Sequence, residues 1–208
     1  VEVPKTWSEF QDVITKLEDA GITPFEFTFA DSWTCLPPWN SMAPVIPAAD
    51  FTDQRKEGKT TFVGTHEEIL EKYLSLLDHA QDDFMGTTYT DGNAALANGS
   101  AAMMINGNWA ISEFLNTNPD MNVNMFAFPS VDDESKNTVT SGVDVLFAVS
   151  NQGSDEQQEA AKEFIRYALT KDVAQEYIDD QFAFSAVNGV EQQNETVSGV
   201  AKDIANGK

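Results

Sequence analysis

The chain has 208 residues, 34 of them Asp or Glu against 12 Lys or Arg, for a formal net charge of −22. Such a charge repels nucleic-acid phosphates and anionic lipid, and no Lys/Arg-rich run overrides it locally, so DNA and RNA are excluded as partners. With 41% hydrophobic and 11% aromatic residues, the chain is too apolar for a disordered acidic tail, yet it has no run of about 18 apolar residues that could span a bilayer.

The first residues, Val1-Glu2-Val3-Pro4, carry no initiator Met, basic n-region or apolar h-region, which reads as an excised piece or a processed product. Thr6-Trp7-Ser8-Glu9 has the form of a capping box, and Phe10, Val13, Ile14 and Leu17 continue one helical face until Gly21 stops it. Trp7 lies on that stripe and is expected in the core. Phe25-Glu26-Phe27-Thr28-Phe29 alternates as a strand with one buried face. From Asp31 to Gly64 the pattern dissolves into a long loop containing Trp33, Cys35, Pro37, Pro38 and Trp39, and long loops of this kind are often functional.

Thr65 and Glu68 suggest a second capping box, followed by the stripe Ile69, Leu70, Tyr73, Leu74 and Leu77. A short helix over 91–98 precedes Gly99. Residues 101–105 read as a buried strand, Gly107 as a turn, and Trp109, Ile111, Phe114 and Leu115 as a helix. Residues 123–128 and 143–149 read as further strands. Ser154 caps a helix through Leu169, a second helix covers 173–178, and the tail from Gln181 is polar. Strands alternating with helices give the α/β class with a mixed sheet.

Enzyme signatures are absent: there is no Gly-x-Ser-x-Gly, no P-loop, no Gly-x-Gly-x-x-Gly and no His-Glu-x-x-His. His66 and His79, at the two ends of the second long helix, read as surface residues rather than catalysts or metal ligands. The lone Cys35 forbids an internal disulfide, and Asp132-Asp133-Glu134 lacks the alternating spacing that wraps oxygens around Ca²⁺. No metal or cofactor is expected. Asp31, Glu113 and Asp144 could serve a glycosidase, which needs two carboxylates across a sugar-sized cleft, although among 34 acidic residues solvated surface is the favoured reading for any one of them. Trp33, Trp39 and Trp109 stand at loop or element-terminal positions. An indole there can cover the C–H face of a pyranose while neighbouring Asp or Asn meets its hydroxyls, and the alternative is a Trp that anchors its own loop.

The run Gly99-Ser100-Ala101-Ala102-Met103-Met104-Ile105-Asn106-Gly107-Asn108-Trp109 resembles the Gly-x-x-Ala-Met-x-x-x-Gly-x-Trp signature of the extracellular sugar-binding proteins of bacterial ABC importers, the maltose-binding-protein-like family. Pro4-Lys5-Thr6-Trp7-Ser8-Glu9-Phe10, Ala20 to Pro24, Phe126 to Pro129, Ser141 to Asp144 and Ala160 to Phe164 follow in the family's order, so the resemblance covers residues 1 to about 190. It implies a periplasmic-binding-protein-like (type II) lobe with a mixed β-sheet flanked by helices, part of an incomplete two-lobe fold. Residues 1–142 would form mainly the second lobe, and 143–208 a crossover strand and helices returning toward an absent first lobe. It further implies a non-catalytic subunit that takes a mono- or oligosaccharide in an interlobe cleft and delivers it to permease subunits. The location would be extracellular, lipid-anchored at the cell surface or periplasmic. The family's stacking Trp maps onto Trp109. Asp31 and Trp33 fall where members place an acid and an aromatic, with Trp39 nearby in a loop of variable length. Asn108 adjoins the stacking Trp, and Gly142, Val143 and Asp144 fall where backbone approaches the sugar. A glycoside hydrolase and a free-standing carbohydrate-binding module stand as the rival readings.

Overall fold

The computed structural model describes residues 1–143 and 145–207. Among them, nine α-helices appear in the order α1 (Trp7–Asp19), α2 (Leu36–Met42), α3 (Phe51–Lys56), α4 (Glu67–Leu77), α5 (Tyr89–Ala97), α6 (Trp109–Thr117), α7 (Asp155–Ala168), α8 (Lys171–Gln181) and α9 (Ser198–Ala205). Thr6 Oγ1 accepts the Glu9 N–H and the Glu9 carboxylate accepts the Lys5 N–H, so α1 starts where its capping signature lies. It ends in a Schellman pattern, Ile22 N–H to Leu17 O and Gly21 N–H to Glu18 O, with Gly21 at φ 73°.

The core is organised by the segment 23–29. Phe25, Phe27 and Phe29 stack in sequence, with centroids 5.6 and 5.0 Å apart, and pack with Phe10, Ile14 and Leu76. The opposite face was expected in solvent, yet Glu26 and Thr28 are only 3% and 2% exposed. The helix α5 covers them, and it comes so close that a Cβ on Gly92 would fall 2.3 Å from Thr28 Cγ2. Trp7 is half-buried against Phe10 and Phe128, with the Lys72 ammonium 4.9 Å from its ring centroid.

The mixed β-sheet does not form: among the described residues there is no strand, only isolated parallel bridges from Phe25 to Ala80 and to Met103. Phe25 N–H donates to His79 O and Gln81 N–H to Phe25 O on one side; Met103 N–H donates to Pro24 O and Glu26 N–H to Met103 O on the other. Pairing then leaves the backbone. The Gln81 side chain takes over, its Oε1 accepting the Phe27 N–H at 2.9 Å and its Nε2 donating to Phe27 O at 2.5 Å. The stretches around 102–106 and 122–128 both line a cavity of about 330 Å³, and no ladder joins them. Residues 143 and 145–149 are also without strand pairing, with Val143, Leu146 and Phe147 exposed; Asp144 lies outside the described residues.

Three further expectations are corrected. The 31–64 loop contains a 3₁₀ turn (Ser32–Cys35), α2 and α3; Pro37 and Pro38 sit in the first turn of α2, where no N–H is required of them. The Thr65–Glu68 box is not made, because the Thr65 hydroxyl donates back to Thr61 O and α4 begins at Glu67. Glu67 instead accepts the Gly64 and His66 N–H groups, which lowers its carboxyl pKa. His66 is not a surface residue. It is 4% exposed, boxed by Trp39, Phe51 and Phe62. His79 is partly shielded and pairs through Nδ1 with Glu18 at 2.6 Å. Ser154 caps α7 as expected, and the structure adds the reciprocal bond to the Gln157 side chain that makes it a capping box; the polar tail folds into α9, placing Val197 and Val200 against Ile111 and Phe182.

Burial raises the Glu26 pKa above its ordinary 4.5, opposed by the hydrogen bond that Ser100 Oγ donates to it at 2.7 Å. The folded state therefore holds this proton over a window in which the unfolded chain has lost it, and stability falls as pH rises through that window. Glu26→Gln keeps an acceptor for Ser100 without the charge, and is expected to raise the melting temperature at pH 7 by about 2–4 °C, the equivalent of ~1 kcal/mol; calorimetry from pH 4 to 8 checks both the gain and its disappearance in acid. Gln81→Ala leaves the Phe27 N–H and C=O without their partner, and a loss of about 2 kcal/mol in urea unfolding is expected.

Candidate functional site

The segment 23–29 delivers Asp31 and Trp33 to one end of the molecule. There the chain turns sharply: Thr34 N–H donates to Asp31 O, and the buried Thr34 hydroxyl reaches Thr28 O at 2.7 Å and Asp31 O at 2.9 Å. Tyr73 fixes the far side of the turn by donating its hydroxyl to Cys35 O at 2.8 Å, and burial raises its pKa well above the ordinary 10. Trp33, in this braced turn, is 43% exposed.

Trp109 arrives from the 101–106 segment, at the first position of α6. Asn106 Oδ1 accepts the Gly107 N–H at 2.9 Å and shapes the preceding turn. A Cβ on Gly107 would lie 2.1 Å from the indole of Trp109, so only glycine lets this ring fold back over the turn. Trp109 is 39% exposed, and its ring centroid is 6.5 Å from that of Trp33. Two separately held indoles thus share an exposed edge, an arrangement suited to covering an apolar ring face.

Tyr89 completes the cluster, 4.9 Å from Trp33 between centroids. Sequence reasoning did not single it out. The Thr88–Asp91 capping pattern at the start of α5 was the available signal, but it says nothing of Trp33, which lies 56 residues earlier in the chain and is brought near only by the fold. Burial raises the Tyr89 pKa, the Asn93 amide opposes that shift, and the Glu113 carboxylate adds to it. Asn93 itself is 2% exposed, and neither of its side-chain polar atoms has a hydrogen-bond partner. An unsatisfied buried amide costs about 1–3 kcal/mol.

The other expected site residues fall as follows. Asp31 is half-buried, and its Oδ2 accepts the Tyr89 N–H at 2.7 Å. Asn108 precedes α6, and its Nδ2 donates to Gln181 O at 3.3 Å instead of capping the helix. Trp39 is not joined to the Trp33–Trp109 cluster, because its ring lies flat on His66, 5.5 Å away at 13°. Gly142 and Val143 are exposed, and Asp144 lies outside the described residues. The 330 Å³ cavity opens beside Trp109, with Asn106, Asn108, Asn40 and Thr140 among its polar lining; the Thr140 hydroxyl donates to Asn40 O at 2.9 Å. Among the described residues, no three His, Cys, Asp or Glu stand close enough to hold a metal ion, and no helix is long and apolar enough to cross a membrane.

The family model for bacterial extracellular solute-binding proteins matches residues 2–206. The chain belongs to this family. A multiple sugar-binding protein of Streptococcus mutans is 26% identical over 201 residues, covering 92% of this chain and 47% of its own length. Two solved structures share the fold. One is SBP RafE in complex with raffinose, with TM-score 0.76, 22% identity, and coverage of 97% of this chain and 54% of that one. The other is a chitin oligosaccharide binding protein, with TM-score 0.80, 23% identity, and coverage of 99% and 52%. This member of the solute-binding family spans about half the length of these relatives. The expected periplasmic-binding-protein-like character is thus supported by likeness of fold, while the strands expected within it are not formed.

The dependence of the Trp109 ring on Gly107 is testable. Gly107→Ala is expected to displace the indole, seen as a changed near-UV circular dichroism spectrum and a shifted tryptophan emission, while stability changes by no more than about 1 kcal/mol because the ring is partly in solvent. An unchanged near-UV spectrum would show that the turn accommodates the methyl group without moving Trp109.

Proposed function

We propose that this chain is part of a non-catalytic carbohydrate-binding subunit of an ABC importer, and that its sugar rests on the exposed indoles of Trp109 and Trp33. The single observation that carries the reading is that pair: two indoles 39% and 43% exposed, 6.5 Å apart, each held by its own turn. Membership in an extracellular solute-binding family supports the importer role and an extracellular or periplasmic location, and the names of its relatives point to sugars. A lipid anchor at the cell surface fits the same reading. The polar half of the site would come from Asn108 at the start of α6 and from the 142–144 stretch, with Asp31 beside Trp33. Trp39, stacked on His66, would act at the margin. The charge of −22 favours a neutral sugar over a polyanionic one.

One lobe offers only one face to a ligand. The second face would belong to a first lobe, and closure of the two around the sugar would shift the population toward the form that permease subunits recognise. Residues 143–208 would lead back toward that lobe. Support comes from an apolar surface without cover, in which Val143, Val145, Leu146, Phe147, Phe164 and Tyr167 are all exposed and Phe147 meets Phe164 edge to face. The amphipathic helix α7 has no buried residue, which is the pattern of a helix awaiting a partner.

Calorimetry against a panel of neutral mono- and oligosaccharides, with reducing-end release monitored in the same samples, tests this reading. Trp109→Ala in the two-lobe protein is expected to weaken sugar binding tenfold or more, about 1.4 kcal/mol, with little change in melting temperature. Sugar release would point to a hydrolase instead, tight binding without any second lobe would point to a free-standing module, and unchanged affinity in the variant would remove Trp109 from the site.

A further inference from the structure

The chain contains four Asn–Gly pairs, at 98–99, 106–107, 188–189 and 206–207. Such a pair can modify itself. The glycine nitrogen, unshielded by any neighbouring Cβ of its own residue, attacks the carboxamide carbon of the preceding asparagine, ammonia leaves, and water opens the five-membered succinimide that results. A folded chain permits or forbids this by where it holds the carboxamide and the glycine N–H.

Two of the four pairs are held away from reaction. At the end of α5 the Gly99 N–H donates to Leu96 O at 2.9 Å and Asn98 Nδ2 donates to Ala94 O at 2.8 Å, so the nucleophile and the leaving group are both bound to the helix. At the end of α9 the Gly207 N–H donates to Ile204 O at 3.1 Å. Residues 188 and 189 lie in an exposed turn closed by Val190 N–H to Val187 O at 3.2 Å. Asn106–Gly107 differs from all three, because among the described residues it alone has the glycine N–H bonded to its own asparagine side chain, Asn106 Oδ1, at 2.9 Å. The nitrogen therefore lies against the carboxamide whose carbon, one bond from that oxygen, it would attack. The amine that would depart is held only by the Met104 sulfur, a weak acceptor, at 3.5 Å. Among the described residues, neither the N–H nor the C=O of Asn106 makes a backbone hydrogen bond that would have to break first. The pair also lines the cavity of about 330 Å³, which has room for the water that opens the ring.

We propose that Asn106–Gly107 is a site of spontaneous deamidation, and that its product displaces the Trp109 indole. The Gly107 N–H loses its proton to hydroxide, the nitrogen bonds to Asn106 Cγ, and the Cγ–Nδ2 bond breaks, releasing ammonia with a proton taken from water. Water then adds to one of the two succinimide carbonyls. Opening at Cγ leaves aspartate; opening at the backbone carbonyl leaves isoaspartate, in which the chain runs through the former side chain and is longer by one methylene group. Either product puts a carboxylate where a neutral amide stood. Isoaspartate also lengthens the link between two fixed points, Met103, which bonds to Pro24 O and to the Glu26 N–H, and Trp109 at the start of α6. The Trp109 ring folds so closely onto Gly107 that one added carbon there would fall 2.1 Å from it, so a turn rebuilt at 106 moves the indole. The chemistry does not depend on what the protein binds.

The test incubates the two-lobe protein at pH 8 and 37 °C, folded and in urea, and follows the four Asn–Gly peptides by mass spectrometry, with electron-transfer fragmentation to tell isoaspartate from aspartate. In the folded protein the residue at 106 is expected to gain one dalton at least tenfold faster than those at 98 and 206, whereas in urea the four sites should react within a few fold of one another. Tryptophan emission of the folded protein is expected to shift in step with the isoaspartate formed. In Asn106→Gln, where closure would require a six-membered ring, position 106 should stay unmodified and the emission should hold steady. A residue 106 that reacts no faster than 98 and 206 in the folded protein overturns the modification site, and isoaspartate at 106 with unchanged emission overturns the displacement of Trp109.

Discussion

The structure depends on the burial of one extended segment, residues 23–29, on both of its faces. Its phenylalanines fill the interior against α1 and α4, and its Glu26 and Thr28 are roofed by α5 at a separation that only Gly92 permits. Burying three aromatic side chains in succession is worth several kcal/mol before their mutual contacts are counted. A segment so enclosed has little freedom at its end, and that end is where Asp31 and Trp33 stand.

The aromatic cluster is an outcome of this enclosure. Trp33 is carried by the segment itself, Trp109 by the 101–106 stretch that bonds to it through Met103, and Tyr89 by the helix that covers it. The segment and two of its neighbours thus present three rings at one end of it. The arrangement is held by hydrogen bonds that do not involve the indoles: Thr34 to Thr28 and Asp31, Asn106 to Gly107, and Asp31 to Tyr89. The rings can therefore remain partly in water, and any ligand that covers them gains apolar contact without first having to order the protein beneath.

Most of the helices were legible because their signals are local. The capping residues of α1 and α7, the Gly21 stop and the apolar stripes of α4 and α6 act within a few residues of one another, and the helices formed near where they point. The loop over 31–64 was misread because short helices such as α2, opened by two prolines, carry too few turns to show a period. His66 looked like a surface residue at a helix end; its burial comes from Trp39, Phe51 and Phe62, which the intervening fold brings around it. The alternation of residues 25–29 marked a strand that does not form, because a strand requires a continuous partner, and here the Gln81 side chain takes the Phe27 N–H and C=O where a ladder would continue.

By itself, the sequence determined the acidic charge, the helical stripes, the placement of Trp33 and Trp109 at loop or element-terminal positions, and the signature that marks a solute-binding protein, because each of these is a property of composition or of residues close together in the chain. Only the tertiary structure decided that Trp33 meets Trp109 and Tyr89, that Trp39 belongs to a different aromatic group with His66, and that one oxygen of Asp31 is committed to the start of α5. Those facts depend on contacts between segments some 20 to 80 residues apart, whose distances are set by how closely helices and extended segments pack and not by any local preference of the residues involved.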